Sequence, residues 1–175
     1  MRAAVIFGPA TGPIASVAEA IGRGFQRAGM DVIVGSFDRF APSDVVDLDL
    51  LAVGARTHGY RLEDGGDTEP EDEQRVFDGS LPEPDLADWL DDLPDGAGRA
   101  AVAFDTRRPG PTVLTGSAAR SIENKLEFGG FQIAEPAESF EVDDDEDALA
   151  DGEEARAEAW AADLATVLAS VLDQE

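Results

Sequence analysis

Three stretches of the chain are apolar at every position instead of at alternate ones. They are Ala3-Ala4-Val5-Ile6-Phe7, Leu50-Leu51-Ala52-Val53 and Ala100-Ala101-Val102-Ala103-Phe104. A strand with one face in water alternates apolar and polar residues. A run without alternation reads as a strand buried on both faces. Strands of that kind belong to a parallel sheet covered by helices on each side, so the segments between them must supply those helices.

They have the pattern to do so. Pro13 stands where a first helical position is expected, and Ile14, Val17, Ala18, Ile21 and Phe25 follow at helical spacing. Gly29 reads as the glycine that ends this helix. Val32-Ile33-Val34 is a second strand, and the third lies within residues 48–54. Asp85 reads as the cap of a helix carrying Leu86, Trp89, Leu90 and Leu93, with Pro94 and Gly96 beyond it. The fourth strand, residues 100–104, stops at Asp105. A helix is expected over 116–128, ended by Gly129-Gly130. Residues 131–133 and 139–142 are pieces of a fifth strand. A last helix over about 152–172 has Ala159, Trp160, Leu164, Val167, Leu168 and Val171 as its expected buried stripe. Both tryptophans read as core residues. The expectation is one α/β domain over 1–175, with acidic insertions at about 62–84 and 143–147, the first of which holds a short helical pattern at 71–77.

Charge narrows the partners. The chain has 38 acids and 13 bases, a net −25, and Lys125 is its only lysine. Such a surface repels nucleic acid and anionic membrane. It also suits a protein kept in solution at high salt, which makes a halophilic origin one expectation. Without cysteine there is no disulfide or thiolate zinc site. No apolar run approaches the ~20 residues of a membrane span. The first, Ala3 to Phe7, is too short for a signal-peptide core. A cytoplasmic location is the expectation.

In an open α/β sheet, ligands bind outside the carboxyl ends of the strands. Three loops lie there: residues 8–14, 55–61 and 105–112. They hold Arg56, Arg61, Arg107 and Arg108 against one acid, Asp105, which is a local +3 (four minus one) in a chain of −25. They also hold the only histidine, His58, and the only tyrosine, Tyr60. This points to an anionic ligand held by charge and by N–H groups at a helix start. Ion pairing of these arginines with nearby acidic loops is the alternative.

The element order, and Thr11-Gly12 between the first strand and helix, resemble flavodoxins. The resemblance is closer to small flavodoxin-domain proteins common in high-GC bacteria. It rests on Thr57-His58, Ala103-Phe104-Asp105-Thr106-Arg107, Gly116-Ser117-Ala118-Ala119, residues 136–142 and residues 149–153. It implies a doubly wound five-stranded parallel sheet of order 2-1-3-4-5. It also implies FMN at the carboxyl edge, and electron transfer to a redox partner protein or a small-molecule acceptor, by a monomer or homodimer. If the chain is an enzyme, the implied class is an FMN-dependent oxidoreductase.

By this resemblance Thr11 and the N–H groups of Thr11, Gly12, Ile14 and Ala15 hold the phosphate. Thr57, His58 and Gly59 line one side of the flavin, with Tyr60 stacking on it. Asp105, Thr106 and Arg107 border the other side. Arg56, Arg107 or Arg108 supplies charge to the phosphate or to the flavin carbonyls. The phosphate loop departs from the family pattern. Pro9, Ala10, Pro13 and Ile14 stand around Thr11-Gly12, so one hydroxyl remains of the three usual ones. Loss of two such bonds weakens FMN by about 10²–10⁴-fold. Two other functions therefore stand beside FMN binding: a module that has lost FMN and binds a partner or another anion, and a non-redox enzyme with His58 as acid/base.

Overall fold

The computed structural model describes residues 1–57, 82, 84–110, 116–145 and 147–172. Its sheet runs β2 (Asp31–Ser36), β1 (Arg2–Gly8), β3 (Leu50–Arg56), β4 (Ala100–Arg107) and β5 (Gln132–Ile133), with β6 (Glu138–Glu141) also on β4. Every pairing within it is parallel. The three non-alternating runs form the centre, β1, β3 and β4, and their inner residues are buried on both faces.

Two cores result. Val5, Phe7, Ala52, Val102 and Phe104 face α1 (Pro13–Arg27) and α4 (Glu153–Leu172). Ala4, Ile6, Val53, Ala101 and Ala103 face α2 (Pro84–Asp91) and α3 (Ala118–Phe128). Gly24 lets α1 and α4 meet closely, because a Cβ there would lie 2.7 Å from the Ala161 Cβ.

The fifth strand is in two pieces, as expected. β5 pairs with Ala100 and Ala101, whereas β6 pairs with residues 104–107, so both lie along one side of β4. Pro136 stands between them, and its missing N–H interrupts the ladder there. The helix expected over 116–128 begins at Ala118. Gly116 sits at φ 67, and Ser117 is the extended cap whose Oγ accepts from the Arg120 N–H. Asp85 lies inside the first turn of α2, one place after Pro84, and does not cap it. The glycine ends of α1 and α3 are as expected. Met30 N–H donates to Phe25 O and Phe131 N–H to Leu126 O, with Gly29 and Gly130 at positive φ. Asp143 closes the acidic loop after β6, with Oδ1 accepting from the Asp147 N–H at 3.1 Å. The 71–77 helix lies outside the described residues.

Trp89 is buried and its Nε1 donates to Phe40 O at 2.7 Å. Trp160 packs edge-on against Phe140 at 6.0 Å. On the same helix Leu164 is buried, whereas Ala159, Val167 and Val171, expected on its buried stripe, are exposed. Arg156 lies over the Phe140 ring, 4.5 Å from its centroid, and bonds Glu138 and Glu153. The hydrogen bond from Arg156, ahead of its charge, holds the Glu153 carboxyl below the usual range. A depressed folded-state value means stability that is present above about pH 4.5 and lost as pH falls through that lower value. Glu153→Gln is accordingly expected to lower the melting midpoint at pH 7 and to flatten its fall below pH 4.5. Melts at pH 3, 4 and 7 check this, and an equal effect at all three pH values contradicts it.

Candidate functional site

The chain leaves β1 at Gly8, whose peptide to Pro9 is cis, and enters α1 through Gly12. Gly12 has φ 93 and ψ −167, a conformation that a side chain would strain. Its carbonyl accepts from the N–H of Ala15 at 3.0 Å and of Ser16 at 3.4 Å. Among the described residues nothing accepts from the N–H groups of Thr11, Gly12 and Ile14. They are the orphan donors of a helix start, with Thr11 and Gly12 exposed. The Ile14 side chain points away into the core, 1% exposed. It is as buried as a core position requires, and it supplies no hydroxyl to the loop.

At the ends of β3 and β4 the structure joins Thr57 and Asp105 with a residue that sequence reasoning did not select, Ser117. Asp105 is fully buried. Its Oδ2 accepts from Thr57 Oγ1 at 2.8 Å, Ser117 Oγ at 2.9 Å and the Ala119 N–H at 3.0 Å. Thr57 Oγ1 in turn accepts from the Ala118 N–H at 2.9 Å. The first turn of α3 is thus tied to two strands by one carboxyl group, which also suits the positive end of the helix. Among the described residues Asp105 Oδ1 has no hydrogen-bond partner. The sequence signal for Ser117 was the Gly-Ser pair ahead of a helical pattern. It read as part of the helix because the spacing does not show where a cap begins.

Arg56 and Thr106 are register partners, one residue further along the alternation. They share the face of Gly54 and Phe104, which is the α1 face, whereas Ala55 and Asp105 share the α3 face. Thr106 is fully buried, and among the described residues neither its Oγ1 nor the buried Arg56 Nε has a hydrogen-bond partner. Arg107 falls on the α3 side by the same alternation, and its Nη1 donates to Gly110 O at 3.1 Å. Arg108 is exposed beyond the strand. His58, Gly59 and Tyr60 lie outside the described residues. Among the described residues no three acidic or histidine side chains are grouped to hold a metal ion.

This fold has solved counterparts over almost the whole chain. A flavodoxin from Bacillus cereus, flavodoxin 1, superposes with a TM-score of 0.70 at 19% identity, over 95% of this chain and 98% of that one. The fold is that of a flavodoxin. A flavodoxin from the Archaea matches this flavodoxin-like domain with a TM-score of 0.67 at 18% identity, over 96% and 99% of the two chains. The rubredoxin oxygen:oxidoreductase of Desulfovibrio gigas contains a similar unit. The match has a TM-score of 0.68 at 13% identity and covers 98% of this chain but 37% of that one. No protein-family profile matches the chain, and no curated sequence is significantly similar to it. The expected sheet order, 2-1-3-4-5, holds in this flavodoxin-like domain, with β6 attached beside β5. Among the described residues no helix is long and apolar enough to cross a membrane.

Proposed function

We propose that this flavodoxin-like domain binds FMN and carries electrons, to a redox partner protein or to a small acceptor. One observation carries this reading. β1 has β2 on one side and β3 on the other, so the loops after β1 and β3 part at the switch point where α/β sheets take ligands. There the orphan N–H groups of residues 11, 12 and 14 follow the end of β1, whose Gly8 is paired with Ala55 of β3. The solved neighbours named flavodoxins support the same reading. The bound flavin supplies one- or two-electron chemistry, and the residues of this chain hold and orient it. Thr11 and the loop N–H groups take the phosphate end. His58, Gly59 and Tyr60 take the ring from one side, and the end of β4 borders the other.

Titration of the purified protein with FMN, followed by flavin fluorescence and visible absorbance, tests the proposal. Saturable binding well below 1 mM is expected. No binding at about 1 mM, an affinity no better than roughly −4 kcal/mol, overturns it. One observation favours a second reading, a module that works without a flavin. Pro9, Pro13 and the buried Ile14 leave Thr11 as the loop's hydroxyl. In that case the same titration is flat.

A further inference from the structure

We propose that Thr57 and Asp105 are positioning residues for the flavin ring. With Ser117 they tie the loops after β3 and β4 to one buried carboxyl group, and so set the spacing of the two loops. The inference rests on the flavin reading and deepens it, because it names groups that act on the ring through the loops and not by touching it. It gives Thr57 a role different from that of residues 58–60, which follow it directly in the chain.

Topology puts the three residues at loop ends. β3 stops at Arg56, so Thr57 opens the loop after it. β4 stops at Arg107 and α3 starts at Ala118, so Ser117 closes the loop between them. Asp105 lies in the last turn of the β4 ladder, opposite Ala55. Thr57 is 3% exposed, which leaves almost no surface for a ligand. Its polar atoms are turned inward. The hydroxyl donates its proton to Asp105 Oδ2 at 2.8 Å and accepts from the Ala118 N–H at 2.9 Å. The Thr57 N–H donates to Thr106 O at 2.8 Å. Backbone and side chain thus bind Thr57 to β4, and the side chain binds it to α3 as well. Ser117 Oγ and the Ala119 N–H donate to the same carboxyl oxygen, at 2.9 Å and 3.0 Å. A slip of either loop end leaves a buried donor unpaired, which holds both ends in one place. A full negative charge lets one oxygen gather three donors, which a neutral amide does less well. A planar ring gains most from walls already held at the right separation, since walls ordered only on binding cost affinity.

The test titrates FMN into the wild type, Thr57→Val, Thr57→Ser, Asp105→Asn and Leu126→Ala, well below the lowest melting midpoint of the set. Valine keeps the shape of threonine without the hydroxyl, and serine keeps the hydroxyl. Leu126 is buried toward the other end of α3, so its alanine variant lowers stability without touching the carboxyl group. Thr57→Val and Asp105→Asn are expected to weaken FMN by about 10-fold and to shift the visible bands of the bound flavin toward those of free flavin. Thr57→Ser is expected to keep the wild-type affinity and spectrum. Leu126→Ala is expected to lower the midpoint and to change neither. Affinity that follows the midpoint in every variant, Leu126→Ala included, overturns the inference, since the residues then only hold the fold. Weaker FMN with an unchanged bound spectrum also overturns it, as does saturable binding that Thr57→Val leaves intact, and in both cases the flavin reading stands. A flat titration of the wild type overturns the flavin reading and this inference with it. If Asp105→Asn does not fold, the two Thr57 variants and Leu126→Ala decide.

Discussion

Asp105→Ala is expected to lower the melting midpoint by about 10 °C. The side chain is fully buried, and its Oδ2 is the shared acceptor of two hydroxyls and a backbone N–H. Each donor left buried without a partner costs about 1–3 kcal/mol, and the two hydroxyls recover part of that by turning to other acceptors. A net loss of roughly 3–4 kcal/mol follows. At this chain length each kcal/mol is worth about 2–4 °C. Asp105→Asn keeps the shape and one acceptor oxygen, and loses the charge facing the first turn of α3. It is expected to cost about 1–2 kcal/mol. Thermal and urea melts of both variants decide this. A loss below 1 kcal/mol for Asp105→Ala would show that packing alone, without the shared carboxyl, holds α3 to the sheet.

The second large effect is of salt. The chain carries 25 more acids than bases. Two like charges about 10 Å apart in water repel by roughly 0.4 kcal/mol unscreened, and by about 0.15 kcal/mol at 0.1 M salt. Summed over the excess acids, this is about 2–4 kcal/mol against the compact state, part of it also present in the unfolded chain. At about 1 M the Debye length falls to ~3 Å and nearly all of it is gone. The midpoint should rise by about 5 °C or more between 0.1 M and 1 M KCl and then level off. A midpoint that stays flat or falls over that range contradicts the argument. One that climbs without levelling assigns the effect to salt exclusion from the surface and not to screening.

The layered fold was legible in the sequence because burial on both faces removes the alternation. Ala3–Phe7, Leu50–Val53 and Ala101–Phe104 are central strands for that reason. The glycines after α1 and α3 were legible too, because a helix end at positive φ excludes most other residues. The two pieces of the fifth strand were legible as well, but not how they sit on β4. Pro136 is visible in the sequence, yet only the pairing shows that β4 accepts strand on both sides of it.

The candidate site was legible as a set of loops and not as a set of contacts. Position at the strand ends brought Thr57, Asp105, Thr106 and the arginines into consideration. It did not say which face each side chain takes. Strand alternation in the folded register sends Asp105 to α3, where it binds Thr57 and Ser117, and sends Arg56 and Thr106 to α1. Sequence alone determined that the chain builds a helix-covered parallel sheet with a positive carboxyl edge, because hydrophobic periodicity and charge are local properties. Tertiary structure decided which polar groups at that edge are used up in holding the fold and which have no hydrogen-bond partner among the described residues. That depends on the pairing of residues 48 to 61 positions apart, such as Thr57 with Asp105 and Ala118, and no local pattern encodes it.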